Sequence, residues 1–177
     1  MKRLQGLLFG FSGRIGRGQF WLGVLCILLA TIVLSAIAIG LGFSETVTRE
    51  GYQVVNGERT EISGFRVSTT PLASLAISIL LLAPWLAIGM KRRHDRGFNG
   101  YDVVAFTLLN LLDQVLSITG VQNELTFVLG VVLFVWGIVL FILLGFLRGD
   151  SGDNAYGPDP LNAQNRSTTA TIEPLSD

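Results

Sequence analysis

The chain has 177 residues, of which 50% are hydrophobic and only 15% charged, and its formal net charge is zero. Soluble domains carry about a quarter charged residues, so the composition excludes an ordinary soluble fold, and nothing in it points to nucleic acid as a partner. The single Cys26 lies inside an apolar run, which excludes an intrachain disulfide and reads as a small packing residue.

Residues 1–19 are predicted to form a cytoplasmic or interfacial segment. Leu7, Leu8, Phe9 and Phe11 suit a short amphipathic piece along the interface. Gly6, Gly10, Gly13, Gly16 and Gly18 argue against a long helix there. The apolar run that follows is too long for a cleaved signal peptide and lacks a clean cleavage site. It reads as an uncleaved anchor.

Crossing the hydrocarbon core of about 30 Å takes about 20 mostly apolar residues. Four stretches qualify: about 20–42, 71–90, 101–119 and 125–147. Between the first two, Asn56-Gly57 separates strand-like runs and predicts a short hairpin with a type I′ turn. Such a hairpin is either a lid over a pocket or a connector. Pro84 is expected to kink the second span, because it withdraws a backbone donor. Ala76, Ala83, Ala87, Gly130 and Gly137 would allow close helix approach. Trp21 and Trp85 sit near span ends and suit interfacial anchoring. Trp136 lies mid-span and suits packing between helices. The tail from residue 148 opens on a turn-rich stretch and is expected to be disordered after about 162, where apolar content fails.

Lys and Arg placement sets orientation. Lys2, Arg3, Arg14 and Arg17 precede the first span, Lys91, Arg92, Arg93 and Arg96 follow the second, and Arg148 follows the fourth. With four spans these fall on one side, so both termini are expected in the cytoplasm. The opposite loops balance or lack positive charge. The fold expected is an all-α membrane protein, a four-transmembrane-helix antiparallel bundle with a short outside hairpin.

Three motifs stand out. Gly13-Arg-Ile-Gly-Arg17 leads to Phe20-Trp21. Lys91-Arg-Arg-His-Asp-Arg-Gly-Phe-Asn-Gly-Tyr101 joins spans two and three. Gly152-Asp-Asn-Ala-Tyr-Gly-Pro-Asp-Pro160 opens the tail. In this order they resemble the motifs of the YhaH-like family of small bacterial inner-membrane proteins, classed as a domain of unknown function. Lys91, Arg93, Asn99 and Tyr101 depart from the family pattern. The resemblance implies a multi-span inner-membrane protein and carries no activity with it.

All three motifs fall on the expected cytoplasmic side, so Arg14, Arg17, Arg92, His94, Asp95, Asn154 and Tyr156 are candidates to converge. One reading is a site for an anion such as a lipid phosphate, since Arg holds phosphate oxygens bidentately and basic clusters beside spans attract anionic lipid. The plainer reading is that the charges only set topology. His94 could move protons near neutral pH. The alternative is a structural arrangement, with Asp95 neutralised by Arg92 or Arg17 and His94 bonded to a loop carbonyl. His94 is the only histidine, so a zinc site lacks ligands, and neither metal nor cofactor is expected.

In the third span Thr107, Asn110, Asp113, Gln114 and Ser117 recur at three- and four-residue steps, on one helix face. Asp113 would lie roughly 17 Å into the span at about 1.5 Å per residue. A membrane carboxylate suggests proton or cation movement. A polar seam between helices or a wet position near the outer interface are the alternatives. The leading expectation is a non-enzymatic membrane protein that binds lipid headgroups or a protein partner, with homo-oligomers allowed. A small-solute or proton transporter is the alternative.

Overall fold

The computed structural model describes residues 2–55, 58–121 and 123–161. The elements in chain order are α1 (Lys2–Phe9), α2 (Arg17–Gly40), β1 (Ser44–Val55), β2 (Glu58–Thr69), α3 (Pro71–Leu80), α4 (Leu82–His94), α5 (Tyr101–Ile118) and α6 (Glu124–Gly145). Helices α2, α5 and α6 are each long and apolar enough to cross a membrane, and the bent pair α3–α4 makes a fourth if counted as one span. The chain is therefore a membrane protein built mostly of helix. The helical choice follows from the medium, because a spanning segment must satisfy its own backbone groups.

Local chemistry starts and stops these helices. Thr70 caps α3 by accepting from the Ala73 amide at 3.3 Å, and Pro71 takes the first position, where a missing amide costs nothing. Asn123 and Thr126 cap α6 reciprocally, at 3.1 and 3.0 Å. Helix α5 starts from Gly100, whose φ of 78° is left-handed and suits glycine.

The second span is broken at Leu81, and α3 and α4 meet at 51°. Pro84 has no amide to donate to the Leu80 carbonyl, and its ring crowds that carbonyl. The expected kink at Pro84 thus becomes a break three residues earlier.

Two expectations need correction. The chain is not all-α, because β1 and β2 form an antiparallel two-stranded sheet. Nor is that hairpin short, because each strand has 12 residues, paired from Ser44↔Thr69 to Val55↔Glu58. The predicted type I′ turn at Asn56-Gly57 lies outside the described residues, as does the expected disorder after about 162. The hairpin's main neighbour in the bundle is α2, and β2 is exposed along nearly all its length. That favours a connector over a lid.

Helix α1 is short, as its glycines imply, and Leu7 is buried. The Lys91 ammonium, 3% exposed, donates to the Gly6 and Leu7 carbonyls at 2.7 and 2.5 Å. A cation at a helix C-terminus meets both the unpaired carbonyls and the negative end of the dipole.

The buried core lies toward one end of the bundle. Ile15 and Phe20 come from around the start of α2, Ile88 from late α4, Val103 from early α5, and Leu140 and Leu144 from late α6. Helices approach closely there. A Cβ on Gly23 would stand 2.8 Å from Ile88, and one on Gly89 would stand 2.7 Å from Val103. The close approaches were expected at Gly130 and Gly137. Gly137 does meet Phe106, at ordinary contact distance, whereas Gly130 faces open space. Trp136 packs edge-on against Phe106, with centroids 6.0 Å apart. Trp85 packs against the core and lines an open cavity between α2, α3 and α5.

Candidate functional site

The last turn of an α-helix leaves its carbonyls without donors. In α6 and the residues just after it, five consecutive carbonyls find side-chain donors from elsewhere in the chain. Leu143 accepts from Arg96 at 3.2 Å, Leu144 from Arg92 Nε at 2.8 Å, and Gly145 from Trp21 Nε1 at 3.1 Å. Phe146 accepts from Arg17 at 3.2 Å, and Leu147 from Arg92 Nη2. Three arginines therefore stand at the negative end of the α6 dipole.

Asp95 completes the arrangement. Its Oδ1 accepts from Arg14 Nε at 3.1 Å, and its Oδ2 pairs with Arg92 Nη1. Arg92 is fully buried and Asp95 is 4% exposed. Such a pair persists only if every donor and acceptor is met. Here that condition holds, since no buried side-chain nitrogen or oxygen among the described residues lacks a partner. Arg14 spends its remaining donors on the tail: Nη1 on the carbonyls of Gly152 (2.6 Å) and Gly157 (3.2 Å), and Nη2 on that of Asp150 (2.6 Å). The Asp150 amide returns a bond to the Asp95 carbonyl at 2.8 Å. Gly149 makes the approach possible, because a Cβ there would stand 1.9 Å from Asp95 Oδ2.

The tail is held as a compact loop. Asn154 and Gly157 exchange backbone bonds of 3.1 and 3.0 Å. The Asn154 side chain accepts from the Tyr156 amide at 2.9 Å and donates to the His94 carbonyl at 3.0 Å. The Tyr156 ring stacks on His94 with centroids 4.0 Å apart and planes at 4°. His94 Nδ1 lies 3.2 Å from the Gly13 carbonyl. The Asp159 carboxylate accepts from the Leu161 amide at 2.9 Å and the Gly152 amide at 3.2 Å. These bonds favour its ionised form and hold its pKa below the ordinary carboxylate value.

The six residues Arg14, Arg92, His94, Asp95, Asn154 and Tyr156 thus form one contiguous clasp. Arg17 reaches the same end without touching Asp95, so of the two partners proposed for that carboxylate only Arg92 serves, and Arg14 takes the other place. His94 meets a loop carbonyl, as its structural reading required. Sequence reasoning missed Gly149, Trp21, Arg96 and Lys91. For Gly149 the available signal was its position at the junction of the last apolar run and the turn-rich tail, three residues before the tail motif. Among the described residues no group of three or more His, Cys, Asp and Glu is placed to hold a metal ion.

Beside the clasp lies a cavity of about 240 Å³. The first turn of α2 with Arg17, Arg92, Arg148 and the loop 149–151 line it, together with the carboxylates Asp95, Asp150 and Asp159. Asp95 and Asp159 are already satisfied as described. Arg148 is exposed, and Arg17 has one protein contact.

The polar residues of α5 do not form one seam. Thr107 and Gln114 line an open cavity of about 230 Å³ at the α3–α4 break, with Thr31 and Ser78. There Ser78 donates to Gln114 Oε1 at 3.0 Å. Thr107 bonds back to the Val103 carbonyl at 2.7 Å and Asn110 to that of Phe106 at 2.9 Å. Asn110, Asp113 and Ser117 instead face the groove between α5 and α6. Asp113 is five residues from the end of α5 and shares a cavity with Asn123 and Glu124 at the start of α6.

No curated protein and no solved structure matches the chain. One protein family does, over residues 8–158, an interval that holds the first two motifs, all but the last two residues of the third, and the whole clasp. The chain belongs to the family described as "Protein of unknown function (DUF805)".

Proposed function

We propose that this protein sits in a bacterial inner membrane with four spans and both termini in the cytoplasm, and that its clasped end binds anionic lipid headgroups. The observation that carries the reading is the cavity between Arg17 and Arg148 at the start of α2. Of the three carboxylates that line it, Asp95 and Asp159 are already taken up by internal partners, while Asp150 is exposed beside the two arginines. An anion there would meet two arginines and the positive end of a helix. Basic groups at a cytoplasmic surface also draw anionic lipid, at about 1 kcal/mol each. The motif likeness to YhaH-like proteins, the loop charges and the four apolar stretches support the location and orientation. The role is binding rather than catalysis. A protein partner or second copy could use the same surface.

Arg14 and Arg92 are unsuitable test residues, because their donors hold the clasp together. The double variant Arg17→Ala/Arg148→Ala is the test, in nanodiscs of mixed phosphatidylglycerol and phosphatidylethanolamine. The native protein is expected to enrich phosphatidylglycerol around itself and the variant to lose that enrichment. Equal enrichment would sink the proposal.

The transport alternative draws on the polar residues of α5. Their division between two separate cavities gives it less support than a continuous seam would.

A further inference from the structure

Helix α6 turns a regular stripe toward α5. Phe127, Gly130, Phe134, Gly137 and Phe141 follow at steps of three and four, which keeps them on one helix face. The phenylalanines stand up and the glycines leave gaps. On α5, Phe106 fills the gap at Gly137, where its ring edge would touch an added Cβ at 3.4 Å. Seven residues further along α5, and seven back along α6, the same relation recurs between Asp113 and Gly130. A short carboxylate now stands where a ring stood, and the gap is empty, with nothing within 4 Å of a Cβ at Gly130. Two adjoining open cavities, of about 990 and 430 Å³, share Asp113, Gly130 and Phe134. Among the described residues the Asp113 carboxylate has no hydrogen-bond or ion-pair partner. Glu124, one turn from Phe127 on α6, adds a second negative charge to the larger cavity.

We propose that this α5–α6 groove is a binding site for an amphiphilic cation, an alkylammonium whose head pairs with Asp113 and whose chain lies over Gly130 between Phe127 and Phe134. Charge chooses the occupant. The groove carries two carboxylates and no basic side chain, which disfavours an anionic amphiphile. A carboxylate in an apolar setting is stabilised by a cation that brings its own apolar surface. The flanking rings add attraction for a quaternary ammonium over their faces. The larger cavity alone, about 990 Å³, is of the size that takes a drug-sized ligand. The site is distinct from the arginine-lined cavity at the clasp.

The test uses the full chain in phosphatidylcholine nanodiscs, titrated calorimetrically with dodecyltrimethylammonium and corrected for uptake by empty nanodiscs. One saturable site per chain is expected. Asp113→Asn should weaken it about tenfold, and Gly130→Leu, which fills the gap, should abolish it. Dodecyl maltoside should not compete. Melting temperatures close to native would show that both variants fold. Four outcomes overturn the proposal. Uptake could match empty nanodiscs. Both variants could bind like the native chain, or dodecyl maltoside could compete equally, which would mark a plain acyl-chain groove. Finally, the native chain could be a dimer that Gly130→Leu dissociates with no cation bound, so that a second copy fills the groove.

Discussion

The two ends of this bundle treat polar groups in opposite ways. At the clasped end Lys91, Arg92, His94 and Asp95 are buried, and every buried polar atom among the described residues is partnered. At the hairpin end Asp113 stands unpaired among the described residues in an open groove, and β2 lies exposed along nearly all its length. Buried charge is tolerable only when its partners come with it, so the first end is arranged as a unit. The second end leaves its polar groups to solvent, lipid or a ligand. The contrast teaches where to look for each property. Conformational stability should concentrate at the clasp, and unassigned recognition in the cavities that the protein leaves unfilled.

The sharpest way to break the comparison is to remove one charge from the clasp. Arg92→Ala leaves Asp95 short of a partner and two α6-end carbonyls without donors. It should cost about 3–5 kcal/mol and lower the melting temperature in nanodiscs, whereas Asp113→Asn should leave that temperature nearly unchanged. Similar losses from both would erase the distinction between the ends. Gly149→Ala should approach Arg92→Ala in severity, because the Asp95 carboxylate occupies the space a methyl would need. Exposure of tail amides to hydrogen exchange would report it. A middle-sized effect is expected from Asn154→Ala, which loses bonds to the His94 carbonyl and the Tyr156 amide, each contributing about 1 kcal/mol. Faster exchange at residues 150–157, with the bundle unaffected, is the expected signature.

The smallest effect depends on pH. Asp159 binds protons less readily in the folded tail than in an unfolded one. Its stabilising contribution is therefore present in full above the ordinary carboxylate value of 3.8. It is lost as the pH falls from there through the lower folded value. Protection of the tail amides, corrected for the intrinsic exchange rate at each pH, should thus fall as the pH drops below about 4, and Asp159→Asn should flatten that dependence. An unchanged profile in the variant would assign the acid sensitivity to another group.

Much of the fold was legible because hydrophobic runs and Gly/Pro punctuation act locally. Residues 20–42, 101–119 and 125–147 correspond to α2, α5 and α6 within a few positions. Pro84 announced the break in the second span. The hairpin was visible from Asn56-Gly57, but its length was not, since pairing of Ser44 with Thr69 depends on register over the whole loop. The convergence of Arg14, Arg92, His94, Asp95, Asn154 and Tyr156 could be anticipated only as a shared side of the membrane. Which arginine would meet Asp95 depended on the close packing of α2, α4 and α6. That packing in turn depends on Gly23 and on the missing side chain at Gly149. The division of the α5 polar residues was also hidden, because helical periodicity groups residues by angle and cannot say which neighbour covers each edge.

The carbonyl end of α6 has a consequence for biogenesis. Its donors come from residue 17, residue 21 and residues 92 and 96, and the loop beyond it is tied to residue 14. These positions are made long before the last helix leaves the ribosome, so they wait uncommitted until it arrives. The lock then closes only if the start of α2, the end of α4 and the end of α6 have come to the same side. A chain inserted with one span inverted would strand Asp95 away from Arg14 and leave the last helix uncapped. Closure of this end therefore waits for the last helix and comes at the final step of assembly.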